Sequence, residues 1–309
     1  MAETSIEWTD KSYNPIVGCT RKSEGCRNCW SERFLARFGK IKGHKMEGIS
    51  RFTEDGPRWS GEVRFVEEAL NEPLKWRKPS KIFVCSTSDL FHENVKDEWI
   101  DNIFTVMAVA RQHTFQVLTK RPERMLEYLS VKRLETIYGL WHAYSGAPAE
   151  ADAWPLPNVW LGVSVEDQKT ADERIPLLLK TPAAVRWISA EPLLGPITPR
   201  GLVKGWCPTH DFESGFCHGP CPDDRRLDWV VVGGESGPGS RAMDVRWARD
   251  IVRQCKAEGT AVFVKQLGAK PFQSPDHGGR TGYFLSLKDR KGGDMAEWPE
   301  DLCVREYPR

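Results

Sequence analysis

The sequence contains no apolar run near the roughly 20 residues that span a bilayer. Its first ten residues, MAETSIEWTD, lack the basic n-region and apolar h-region of a secretory signal. The expectation is a cytoplasmic protein with no membrane partner. Charge of one sign is also missing: 44 Lys and Arg face 43 Asp and Glu, for a net charge of +1. That excludes a wholly basic nucleic-acid coat or an acidic tail, and leaves room for a local basic patch. There is no internal repeat and no low-complexity segment. The nine cysteines are an odd number in a chain without an export signal. A disulfide framework therefore explains them poorly, and metal or redox chemistry explains them better.

What is present is ordinary globular material. The 309 residues are 40% hydrophobic and 28% charged, near the upper limit of one core. A β-rich apolar run that stops at a polar cluster recurs at 81–85, 114–118, 159–163, 185–188, 229–232 and 261–264. Such near-continuous runs suit parallel strands covered on both faces. Helical patterns over 97–111, 168–180 and 244–257 lie between them, which argues for βαβ units. With a further strand near Asn14–Val17, the pattern predicts a full or partial TIM-like (β/α) barrel as a single domain. A doubly wound sheet is the alternative. Residues 145–157 and 200–226 read as insertions, and 288–309 as a C-terminal strap. Of the 13 tryptophans, core filling is expected to account for most.

In barrels the working residues sit at the C-terminal ends of strands. The polar clusters fall there: Ser86, Ser88, Asp89 and His92; Lys120 and Arg121; Ser164 and Glu166; Glu191; Gly233, Gly234 and Glu235; Lys265 and Gln266. The three glutamates can act as acid/base groups or bind a ribose or an ammonium. Lys120 and Arg121 can receive a carboxylate or phosphate. An internal network of ion pairs is the competing explanation for the same residues. The Gly-rich turn 233–239 can cradle an anion but has no P-loop ending.

Two cysteine groups stand out. Cys19, Cys26 and Cys29 form C-x6-C-x2-C ahead of a predicted helix over 30–38. Three thiolates leave a four-site centre one ligand short. For zinc that means a fourth protein ligand, such as Cys85, or a water. For a [4Fe–4S] cluster it leaves one iron open. Cys207, His210, Cys217 and Cys221 have spacings that resemble a structural zinc site.

The chain resembles the phage three-Cys-motif family nearly end to end. The resemblance rests on SIEWTDKSYNPIVGC with its cysteine loop, FVCSTSDLFHE, QVLTKRPERM, VWLGVSVED, RWISAEPLLGPI, WVVVGGESGPGSR, VFVKQLG and LKDRKGGDMAEWPEDL. That family in turn resembles the radical S-adenosylmethionine (SAM) superfamily, and its DNA-repair lyase branch. The resemblance implies a [4Fe–4S] cluster on Cys19, Cys26 and Cys29 with SAM at the fourth iron, and a reductant protein as electron donor. Ser88, Asp89, Ser164, Gly233, Gly234, Glu235 and Lys265 become candidates to hold the cofactor, and Glu166, Glu191 and Lys120 candidates for acid/base work. The commonest superfamily spacing has three residues in the first gap and an aromatic before the last cysteine. Here the gap is six, Asn28 holds that place, and Trp30 follows the cysteine. The Gly-Gly-Glu segment lies on a late strand instead of the second. A nucleic acid or nucleobase is the expected substrate, from the lyase likeness and the basic, aromatic stretches 51–64 and 75–78. The rival readings are a non-catalytic nucleic-acid or partner-binding protein with structural zinc, and a metal-dependent hydrolase.

Overall fold

The computed structural model describes residues 4–129, 135–137, 139–140, 143, 154–199, 226–275 and 281–308. Seven strands make the main sheet: β1 (Lys11–Tyr13), β2 (Lys81–Val84), β3 (Thr114–Thr119), β4 (Val159–Ser164), β5 (Val185–Ala190), β6 (Trp229–Gly233) and β7 (Ala261–Gln266). They lie side by side in chain order. The registers Ser12↔Phe83, Phe83↔Gln116, Ile188↔Val230 and Val231↔Phe263 are all parallel. A doubly wound sheet reverses its strand order at a switch point; this one does not. The fold is a partial TIM-like α/β barrel. The strands read as apolar runs because both faces are covered, and every residue of β6 is buried.

The longer described helices between them are α1 (Trp30–Ala36), α2 (Asp97–Val109), α3 (Pro122–Tyr128), α4 (Gln168–Lys180) and α5 (Val245–Glu258). Ile100, Ile103, Phe104 and Met107 make the buried stripe of α2, at the spacing of one helical face. Tyr128 of α3 donates to Asp101 of α2 at 2.5 Å. Asp244 caps α5 by accepting from the Arg246 N–H. Gly259, at φ +68°, ends it in the left-handed conformation that glycine adopts without penalty. Among the described residues no helix is long and apolar enough to cross a membrane.

The chain divides into two compact units, residues 1–162 with 181–184, and residues 163–180 with 185–309. In the first, Val17, Leu35, Ile49, Val66 and Ala69 form a small core beneath α1. A hairpin of Ser50–Thr53 and Gly56–Trp59 belongs to the same unit. In the second, Trp187 and Trp229 pack with ring centroids 5.2 Å apart. Residues 304–306 run antiparallel to β7: Val264 N–H donates to Val304 O and Glu306 N–H to Val262 O. Arg305 lies over the rings of Phe263 and Trp298. This segment occupies the hydrogen-bonding edge that β7 would otherwise expose.

The first strand departs from the sequence expectation. The sheet takes Lys11–Tyr13, whereas Ile16–Val17 pair antiparallel with Arg64–Phe65 in a separate ribbon. Ile16 and Val17 are fully buried, so the apolar signal is genuine. It reports burial, which the ribbon supplies as well as the sheet does.

Candidate functional site

In the first unit, the cysteine loop begins where β1 and β2 end. Gly18 pairs with Ser88 as an isolated parallel bridge. Its φ is +99°, and a Cβ there would sit 2.1 Å from the Glu62 carbonyl oxygen, so only glycine lets the chain turn at this point. Cys19 follows. Cys26 closes a 3₁₀ turn (Glu24–Cys26), and its sulfur accepts from the Lys22 N–H at 3.5 Å. Cys29 is the N-cap of α1. All three are reduced and half-buried.

Two of the thiols resist ionisation. Burial pushes Cys19 up to about 12, and Asp89 and the other two cysteines push the same way while Arg121 opposes them. Cys29 is raised by burial, with N–H groups of Glu32 and Ser31 pulling it down and Cys26 raising it. Thiolates gathered this closely repel one another in a low-dielectric loop, unless positive charge is buried with them. Cys85, just past the end of β2, is pushed up to about 12, chiefly by burial, with Ser88 opposing and Asp89 adding to the rise.

Arg121, just past β3, organises the surroundings of Cys19. It is buried, and its guanidinium donates to Asp89 at 3.0 Å, to Glu93 at 2.6 Å and to Thr20 Oγ1 at 2.8 Å. The Cys19 sulfur lies 4.0 Å from Arg121 Nη1. Asp89 accepts further from Thr119 Oγ1 at 2.6 Å and from the backbone N–H groups of Phe91 and Lys120. Arg121 holds Glu93 down to about 2, against the upward push of its own partial burial. Ser88 donates to the Ile16 carbonyl at 2.9 Å. His92 is fully buried, and its Nε2 lies 2.9 Å from Thr20 Oγ1. The Asn94 N–H donates to His92 Nδ1, so Nδ1 is unprotonated and the ring is neutral.

The second unit holds the other strand-end residues. Glu166, buried, accepts from Arg174 Nη1 at 3.2 Å, and the same nitrogen donates to the Ser164 carbonyl at 2.7 Å. Glu235 is clamped by Arg241, whose Nη2 and Nε reach its two oxygens at 2.8 and 3.1 Å. Glu191 accepts from Lys265 Nζ at 2.7 Å and from Gln266 Nε2 at 3.1 Å. Gly233 lies against the Glu191 carboxyl, and a Cβ on Gly234 would stand 2.3 Å from the Leu267 carbonyl oxygen.

The structure sets Cys19 beside Arg121 and Asp89, with Cys26 and Cys29 in the same loop, in the first unit, and joins Glu191 to Lys265 in the second. Glu166 and Glu235 have arginine partners that the sequence reading did not single out. Neither Arg174 nor Arg241 stands in a polar cluster of its own. Thr20 and Glu93 were likewise unmarked, because they meet Arg121 across some 30 to 100 residues of chain. Cys207, His210, Cys217 and Cys221 lie outside the described residues. Among those described, no three His, Cys, Asp or Glu side chains stand as a ready metal site, so Cys19, Cys26 and Cys29 share a loop without being closed into a ligand set.

A model of the family described as a protein of unknown function, DUF5131, matches residues 3–293, and the chain belongs to that family. No curated protein matches it. Among solved structures, spore photoproduct lyase complexed with dinucleoside spore photoproduct is similar at 9% identity and a TM-score of 0.40. The match covers 94% of this chain and 72% of that one. A cysteine-to-serine variant of spore photoproduct lyase is similar at 10% identity and a TM-score of 0.39, over the same shares.

Proposed function

We propose that this DUF5131 member is a radical-SAM-like iron–sulfur enzyme, with Cys19, Cys26 and Cys29 as ligands of a [4Fe–4S] cluster whose fourth iron takes S-adenosylmethionine. One observation carries the reading. Three cysteines share one half-buried loop that starts at the C-terminal ends of β1 and β2, and burial and neighbouring thiols oppose ionisation of Cys19 and Cys29. An all-sulfur, three-ligand donor set fits a site-differentiated cluster, whose iron charge would relieve that repulsion. Bound together and reduced by a partner protein, the cluster and SAM supply hydrogen-abstracting radical chemistry.

The chain's own residues have separable tasks. Gly18 lets the loop turn back under Glu62. Arg121 offers a buried positive charge beside Cys19, and Asp89 and Glu93 fix its guanidinium. Ser88 ties the loop after β2 to the segment before Gly18. In the second unit, Glu191 and Lys265 share a hydrogen bond and remain partly exposed, so a proton can be held or passed between Oε1 and Nζ. Gly233 keeps a side chain away from the Glu191 carboxyl, and Gly234 lets the backbone pass close to Leu267. Glu166 and Glu235 are fixed in place by their arginines. The substrate class is a nucleic acid or nucleobase, and the rim residues Ser164, Glu235 and Lys120 are candidates to orient cofactor or substrate.

The test is anaerobic purification, reconstitution with iron and sulfide, and comparison with Cys26→Ala. The expected result is about four irons per chain with a broad absorbance near roughly 400 nm, both lost in the variant. Dithionite-driven cleavage of SAM then follows in the wild type alone. Stoichiometric zinc with no specific iron would overturn the reading.

A further inference from the structure

We infer that the solvent face of α1 and the segment after it form a platform for single-stranded nucleic acid, beginning one residue beyond Cys29. This deepens the proposed function by giving its substrate class a binding surface, and it rests on that reading only for its catalytic consequence.

The helix has its large side chains on the unexpected side. Ser31, Glu32, Leu35 and Ala36 are buried, whereas Trp30 is 55% exposed. Trp30, Arg33, Phe34 and Arg37 follow the i, i+3, i+4, i+7 spacing that normally marks a buried apolar stripe. Phe34 rests partly on the small core, but Trp30 has no such support. The Trp30 and Phe34 rings are 5.9 Å apart, Phe34 and Phe38 5.3 Å, and Phe38 and His44 5.0 Å. An aromatic row therefore leads away from the cysteine loop. Nearby, the Ser50–Thr53 strand carries exposed Arg51 and Phe52. Ser50 Oγ donates to the Glu32 carbonyl, which holds this strand to α1.

Charge points to the same ligand. Residues 27–45 contain Arg27, Arg33, Arg37, Lys40, Lys42 and Lys45, and Glu32 as the only carboxylate. Glu32 is turned inward, bound by Arg21 at 2.6 Å and by the Trp59 N–H at 2.8 Å. Among the described residues, none of those six cations forms an ion pair. The surface thus offers π-faces flanked by unneutralised cations. That combination suits unstacked bases on a phosphate backbone. A duplex hides its base faces, and an anionic bilayer takes a helix whose apolar face is separate from its basic face, whereas here Arg33 and Arg37 interleave with Trp30 and Phe34.

The test is fluorescence anisotropy of a labelled, mixed-sequence single-stranded oligonucleotide titrated with the full chain, as purified and after cluster reconstitution. Trp30→Ala should weaken binding about tenfold, since one base–aromatic stack is lost. The double variant Arg33→Gln, Arg37→Gln should reduce the slope of log K against log salt by about 1.4, at about 0.7 per phosphate contact. Phe52→Ala, on a separate element, should weaken binding in the same direction and guards against a local folding defect. Unchanged affinity in both Trp30→Ala and Phe52→Ala would overturn the inference. So would tighter binding to the matching duplex, or to phosphatidylserine vesicles. The two proposals fail separately. Strand binding that depends on Trp30 in a protein that takes up no iron sinks the enzymatic reading alone. Iron uptake with binding that depends on neither Trp30 nor Phe52 sinks this one alone.

Discussion

The cysteine loop of the first unit and the strand-end carboxylates of the second both collect ionisable groups, but they settle them differently. Glu166, Glu191 and Glu235 each have a cation of their own, in Arg174, Lys265 and Arg241. Around Cys19 the arrangement is lopsided. One guanidinium is shared by Asp89, Glu93 and Thr20, and beside it burial holds the Cys19 and Cys29 thiols against ionisation, with Arg121 only partly offsetting this at Cys19. Paired carboxylates are complete as they stand, and removing a partner is a matter of stability. Buried thiols that raise one another's pKa gain from an added cation, so the loop is where a metal group changes the balance. The comparison also separates the carboxylates. The Glu191–Lys265 pair is partly exposed, whereas the Glu166 and Glu235 side chains are buried.

The sharpest way to break this contrast is at Asp89. Asp89→Ala leaves Arg121 buried with only the exposed Glu93 as a counter-charge, and strips the acceptor from Thr119 and two backbone N–H groups. Breaking a buried pair of this kind costs about 3–5 kcal/mol, to be read from urea denaturation. The reconstituted variant should also lose iron to a chelator roughly tenfold faster, as for lost outer-shell partners. A stable variant with normal iron retention would show that Arg121 does not organise the loop. Gly234→Ala comes next. Its Cβ would meet backbone, which cannot swing aside, so a loss of about 1–3 kcal/mol is expected, with iron uptake unchanged. Lys265→Met is smaller, about 1 kcal/mol for a partly exposed pair whose aliphatic stem is retained. It too should leave iron uptake at the wild-type level. Iron loss in either of these second-unit variants would erase the distinction between the two regions.

The fold was largely legible because β2 through β7 are apolar on both faces, and burial is what hydrophobic runs record. The strand 229–232 and the helix over 168–180 are read almost to the residue. The first strand was misplaced because Lys11–Tyr13 buries only Tyr13, while the nearby Ile16 and Val17 are buried outside the sheet. At the site, the three cysteines and Asp89 were visible as sequence neighbours of strand ends. Arg121 was visible only as a cation able to receive a carboxylate; that the carboxylates are Asp89 and Glu93 depends on the lateral packing of β2 beside β3. The stripe on α1 shows the limit from the other side. The sequence reads 30–38 only as a helix, and the structure places Trp30 in solvent.

The smallest expected effect concerns His92, and it tests whether the network around Cys19 is built on a neutral ring. Burial is the main cause that lowers its pKa below 6.5, with Arg121 adding to it and Glu93 opposing. Protonation would place a hydrogen on Nδ1, where the Asn94 N–H already donates. The unfolded chain has no such restraint and takes up its proton near the ordinary value. Between the depressed folded pKa and 6.5, the unfolded state therefore binds more protons, and stability rises with pH across that window. Above it the contribution is fully present; as pH falls through it, the contribution is lost. In His92→Gln the side-chain amide can still reach Thr20 but does not titrate. Thermal melts at about pH 5.5 and about pH 7.5 should then differ less in the variant than in the wild type. An equal pH dependence in both would mean that the acid sensitivity of this unit comes from other groups, and that the Thr20–His92 contact tolerates a charged ring.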